Sequence, residues 1–185
     1  MEEKTNYNDS SEFQAAVDEK FYEYKLEYEE RRFRRPNAII IGIPESDKVP
    51  AAEKQRDDSE KVKKILEAGE MGDAVVKNVI RVGKVPDSAT ATRPRPVKVV
   101  FNDEETKNTF LSKAVNDKIK LVDNFKELML FADRTMKERE EVKKLVAEKN
   151  AKNAQLRAAG TRGKKIIIRR GQLVEIKVPP DPPEQ

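Results

Sequence analysis

The residues of this chain best suited to chemistry are its arginines and lysines, and the chemistry they suit is neutralisation of a polyanion. Arg93-Pro94-Arg95-Pro96-Val97-Lys98-Val99-Val100-Phe101 sets two guanidinium groups in a proline-stiffened lead-in to a β-branched run. Strand alternation puts Val97, Val99 and Phe101 on one face and Pro96, Lys98 and Val100 on the other. The first set calls for a core. The second, with Arg95 at its mouth, is expected to form an open sheet face carrying positive charge. Arg81 ends an earlier apolar run, and pairing of the two strands would gather Arg81, Arg93 and Arg95 at one sheet edge. A second basic stretch runs from Gln155 to Arg170, with no acidic residue against Arg157, Arg162, Lys164, Lys165, Arg169 and Arg170. Taken singly, these cations read equally well as solvated loop charges or partners of the many glutamates. As a cluster they are the footprint of nucleic acid or an anionic membrane.

Other chemistries lack their residues. With no Cys and no His, disulfides, Cys/His zinc sites, cysteine nucleophiles and a histidine general base are all removed. The adjacent carboxylates Asp57 and Asp58 could in principle hold a metal for phosphoryl transfer, but a charged helix cap is the reading they favour. No catalytic residue, metal site or cofactor is therefore expected. No apolar run approaches the roughly 20 residues of a membrane span, and Met1-Glu2-Glu3-Lys4 has no apolar leader. The expectation is a soluble intracellular protein with no membrane partner. Charged residues make up 39% and hydrophobic ones 37% of the chain, so folded parts should be compact and separated by solvated segments. The net charge of +4 averages over an acidic N-terminal third and the basic clusters.

The elements that must position these cations follow from periodicity. Residues 1–11 read as disordered and 12–35 as a helix whose sparse apolar series, Val17, Phe21, Tyr24 and Tyr28, has heptad spacing. That series is either the end of an oligomerising coiled coil or a face packed on its own domain. Arg31, Arg32, Arg34 and Arg35 close the helix, where cations complement its dipole, and all four could equally touch phosphate. Asn37–Ile43, bounded by prolines, is a buried strand. Asp57 or Asp58 caps a helix with Val62, Ile65 and Leu66 on one face, ending near Gly69. Ala74–Val82 is a second strand, before a Gly83–Thr92 loop, and the Arg93 stretch supplies a third. Asn102 and Glu105 form a cap for a helix burying Phe110, Leu111, Ala114 and Val115, and Leu128–Ala132 is the fourth strand. The order strand, helix, strand, strand, helix, strand implies an α+β fold with an RRM-like or ferredoxin-like βαββαβ domain over residues 36–134, one sheet face left open.

A small α/β domain over residues 135–177 follows. Thr135 and Glu138 make a capping box for a helix bearing Val142, Leu145 and Val146, with Lys143, Lys144, Lys149 and Lys152 outside. Lys164–Arg169 and Gln172–Lys177 read as a hairpin turning at Arg170-Gly171. The tail, 178–185, has four prolines and reads as extended and disordered. In an RRM, aromatics on the first and third strands stack on bases. Ile40, Pro96 and Lys98 stand at those places here, so the domain is either no RNA binder or one that binds mainly through phosphate charge, and the basic clusters favour the second.

Several of these motifs together resemble the ORF-one proteins of LINE-type retrotransposons. The resemblance rests on Arg34-Arg35-Pro36-Asn37-Ala38-Ile39-Ile40-Ile41-Gly42-Ile43-Pro44-Glu45, on Ile80-Arg81-Val82-Gly83, and on Arg93-Pro94-Arg95-Pro96 before Val-Lys-Val-Val-Phe. Leu130-Phe131-Ala132-Asp133-Arg134-Thr135, a charged helix and the Lys164–Val174 hairpin extend it over Arg31 to Ile176. It implies an aromatic-poor RRM and a small C-terminal domain that together bind single-stranded RNA, and also DNA. It further implies homo-trimerisation through a coiled coil, which is short here, nucleic-acid chaperone activity, and a cytoplasmic ribonucleoprotein that also reaches the nucleus. The nucleic-acid contacts expected are Arg35, Arg81, Arg93, Arg95, Lys98, Lys143, Arg157, Arg162, Lys164, Lys165, Arg169 and Arg170. The competing expectation is an adaptor whose coiled coil and open sheet face take protein partners.

Overall fold

The computed structural model describes residues 7–48, 50–84, 93–161 and 163–178, with side chains from residue 11 onward. The expectations for residues 1–6, most of the Gly83–Thr92 loop, Arg162 and the tail beyond Val178 lie outside the described residues. The chain divides into two compact units, one ending at Asp133 and the other beginning at Arg134.

In the first unit, α1 (Tyr7–Arg34) precedes β1 (Asn37–Ile41), α2 (Ala51–Ala68), β2 (Val76–Arg81), β3 (Val97–Phe101), α3 (Glu104–Phe110), α4 (Lys113–Leu121) and β4 (Met129–Ala132). The strands form one antiparallel sheet in the order β2-β3-β1-β4. Ala38 and Ile40 of β1, Val79 of β2, and Val97, Val99 and Phe101 of β3 face the core. Val62, Ile65 and Leu66 of α2 and Phe110, Val115 and Ile119 of α3 and α4 meet them there. Phe101 and Phe110 pack at 5.3 Å between ring centroids with planes tilted by 46°, within the range favoured by aromatic pairs.

Several boundaries depart from expectation for physical reasons. β1 stops at Ile41 because Gly42 takes φ +104°, a region L side chains avoid, and an added Cβ would stand 3.2 Å from Leu128. α2 begins at Ala51, with Pro50 at the N-cap position, so neither Asp57 nor Asp58 caps it. Asp58 instead falls one turn before Val62 on the buried face. The next cap is Asp103, not Asn102, and accepts from the Thr106 N–H at 2.7 Å. The single helix expected after it is two, because Ser112 caps a second start at Lys113, its hydroxyl accepting from the Val115 N–H. Ala114 is consequently exposed, not buried. β2 and β4 are shorter than Ala74–Val82 and Leu128–Ala132, and β2 carries an irregularity between Val76 and Asn78.

α1 is longer than the 12–35 helix expected, and its apolar series is bare: Val17 is 43% exposed and Phe21 69%. Its end is anchored within the unit. There Arg34 donates to Asp133 at 2.6 Å, and the Asn37 amide donates to the same carboxylate at 3.2 Å.

The second unit contains α5 (Met136–Ala158), β5 (Lys164–Arg169) and β6 (Gln172–Lys177). The expected capping box is present, Glu138 N–H donating to Thr135 Oγ1 and Thr135 N–H to Glu138 Oε2. The hairpin turns where expected. Arg170 and Gly171 both have positive φ, 51° and 75°, as a type I′ turn requires. The outer edge of β5 is closed by α5: the Asn153 amide donates to Ile166 O and accepts from Ile166 N–H, each at 2.8 Å. One side chain thus stands in for a neighbouring strand.

Candidate nucleic-acid interface

Alternation along the strands sorts the cations of the first unit, and it does so differently from the expectation of one basic edge. Arg81 is next but one after Val79, so it points to the helix-covered side. Its guanidinium donates to both oxygens of Asp58 at 2.6 and 3.0 Å, and also to the carbonyls of Ile43, Pro44 and Arg95. The side chains of Arg81 and Asp58 are only 7% and 6% exposed. Arg95 has the parity of Val97 and pairs with Glu45 through Nε and Nη2 at 3.1 and 3.0 Å, its backbone N–H also donating to Glu45. The Arg95 hydrogen bonds, with the charge of Arg81 adding to them, hold the Glu45 carboxyl at about 2, well below the usual 4.5. Four residues from four separate segments thus form one ion network behind the sheet. Arg81 is wholly engaged within the fold, and Arg95 is ion-paired to Glu45, where the expectation has both framing a polyanion path at the sheet edge.

The open face is correspondingly less basic than expected. Cross-strand register aligns Ile80, Lys98, Ile39 and Phe131 in one row across β2, β3, β1 and β4. Ile41, Val100 and Met129 extend this surface, and Lys98, half-buried and without an ion pair among the described residues, is the single cation among them. Ile40 faces the core, so the strand position read as a missing stacking aromatic is not on this surface at all. Phe131 is on it, at a position the sequence alone does not single out. Its signal is a short apolar run, Met129-Leu130-Phe131-Ala132, whose alternation does not say which half faces outward. Leu130 packs on the core, so Met129 and Phe131 point the other way, 48% and 45% exposed. Arg35 and Arg93 are exposed as well.

The second unit holds the chain's excess of positive charge. Residues 134–185 carry fourteen Lys and Arg against seven Asp and Glu, a net +7, whereas residues 1–133 carry −3. On α5, Lys143 and Arg157 are exposed. On the hairpin, Lys165, Arg169 and Arg170 are exposed and make no ion pair among the described residues, while Lys164 binds Glu175 at 2.8 Å. Lys165, Ile167 and Arg169 share one face of β5, opposite Ile176, Val174 and Gln172. Two cations therefore flank a small aliphatic patch, with Arg170 held at the tip by the turn. Such a surface can neutralise phosphates and accept the apolar face of a base or sugar.

Among the described residues, no group of three or more carboxylates could hold a metal ion, and no helix is long and apolar enough to cross a membrane. No protein-family model and no curated protein matches the chain.

Proposed function

We propose that this chain is a non-enzymatic, largely sequence-independent binder of single-stranded RNA or DNA. Its role would be that of the LINE-type ORF-one proteins, nucleic-acid chaperoning and ribonucleoprotein packaging. The observation that carries the reading is the segregation of charge: a C-terminal unit at +7 whose hairpin and helix present unpaired cations, on a chain of net +4. The β2-β3-β1-β4 order supports an RRM-like, ferredoxin-like reading of the first unit. Sequence independence follows from the chemistry, because ammonium and guanidinium groups on phosphate position a strand without reading bases.

The test is fluorescence anisotropy of labelled single-stranded RNA across a salt series. Contacts from Arg157, Lys165, Arg169 and Arg170 alone would give a log–log slope of about −2.8, each phosphate on a single strand contributing about −0.7. Arg169→Glu with Arg170→Glu should weaken every sequence alike. Affinity that ignores salt, or no binding at low salt, would refute the mechanism.

The bare seam of α1 favours self-association through that helix in the same proposal. Sedimentation equilibrium showing monomer at all concentrations would remove it. The seam also supports the rival reading, an adaptor that docks proteins. That reading expects a protein partner that survives high salt and carries no nucleic acid.

A further inference from the structure

We infer that the open sheet face of the first unit seats one base of a single strand on Phe131, with Lys98 holding a neighbouring phosphate. This rests on the single-strand reading above and adds to it a second kind of contact.

Phe131 and Lys98 lie on the same sheet face, separated only by Ile39 on the strand between them. Adjacent strands are about 4.8 Å apart, which puts the two residues about 10 Å apart at the backbone. A lysine stem spans much of that distance, so one nucleotide can set its base on the ring and its phosphate at the ammonium. The ring is 45% exposed, and Ile39 and Ile41 beside it are half-buried, so the seat is an aromatic on an aliphatic floor. Met129, on the same strand and face, flanks it with an adaptable thioether.

The charge on this face selects the occupant. An apolar protein surface laid over it would bury Lys98 with no counter-charge, and burying an unpaired ammonium is strongly opposed. A phosphate supplies that counter-charge. Asp133, next but one after Phe131 on the same side, does not, because it is taken by Arg34 at 2.6 Å. An aromatic that stacks without reading hydrogen bonds is sequence-tolerant, which agrees with the low selectivity of the phosphate contacts.

The experiment uses the full chain and two labelled probes, an oligouridine and an abasic oligomer of equal length. Phe131→Leu keeps the apolar surface and removes the stacking ring. It is expected to lose about 5- to 150-fold in affinity for oligouridine, the range for one stacked base, and nothing for the abasic probe. Phe131→Tyr should bind as the original does. Lys98→Gln should make the salt slope shallower by about 0.7 on both probes. Photo-crosslinking of a 5-iodouridine oligomer to the unsubstituted chain should map to Phe131 or Met129, a readout that needs no variant to fold. Equal binding of both probes by Phe131→Leu and the original chain, or crosslinks confined to other segments, would overturn the base seat and leave the phosphate reading standing. Absence of binding to either probe at low salt would overturn both.

Discussion

Arg81 offers the sharpest separation between a side chain that binds a ligand and one that holds the fold. Its five donors face Asp58 and three carbonyls, and its side chain is 7% exposed, so no position is left for a phosphate. Arg81→Met removes the charge and keeps the stem. Asp58, 6% exposed at its side chain, is then an uncompensated buried carboxylate, and breaking a buried pair from one side costs about 3–5 kcal/mol. For a chain of this length each kcal/mol is worth about 2–4 °C of melting temperature, so the midpoint should fall by roughly 6–20 °C. Removing both partners, as Arg81→Met with Asp58→Leu, should restore most of the loss, because replacing a buried pair by apolar groups is often neutral or better. Urea and thermal unfolding followed by circular dichroism give the stabilities. Anisotropy below the melting range gives the salt slope, which should not change. If Arg81→Met unfolds within about 1 kcal/mol of the original chain and its salt slope is shallower by about 0.7, the assignment fails and Arg81 is a phosphate ligand.

Two further outcomes follow from single side chains. Glu45 has its pKa lowered from 4.5 to about 2 by Arg95 and Arg81. A carboxyl with a depressed folded pKa contributes stability that is complete above its unfolded value and lost as pH falls through the folded one. Glu45→Gln should therefore flatten the acid branch of the stability curve between about 4.5 and 2. It should cost less than about 1 kcal/mol at neutral pH, the pair being partly solvated. An unchanged acid branch would detach Glu45 from the network. In the second unit, Asn153→Ala deletes both hydrogen bonds to Ile166. It should cost about 1–3 kcal/mol and open the Ile166 amide to hydrogen exchange. Amides of β1 to β4 should keep their protection; a loss spread over both units would show that Asn153 does more than close the β5 edge.

Local features of the sequence determined the local features of the structure. Thr135 and Glu138 cap α5, Arg170-Gly171 turns the hairpin, and Val97, Val99 and Phe101 face a core, because each depends on neighbours within a few residues. The succession of four strands with helical segments after the first and third was legible for the same reason, since the periodicity of each element is local. The destinations of the cations were decided only by tertiary structure. Arg81 meets Asp58, and Arg95 meets Glu45, across 23 and 50 positions of sequence. Nothing in the composition of an arginine says whether its counter-ion will be a carboxylate of the same chain or the phosphate of a ligand. Parity carried part of the answer, because Arg81 and Arg95 alternate with core valines, but it binds only once the sheet has one covered face. Phe131 shows the converse. Its aromatic character was plain in the sequence, yet only the pairing of β4 with β1, which turns Leu130 inward, left that ring facing out.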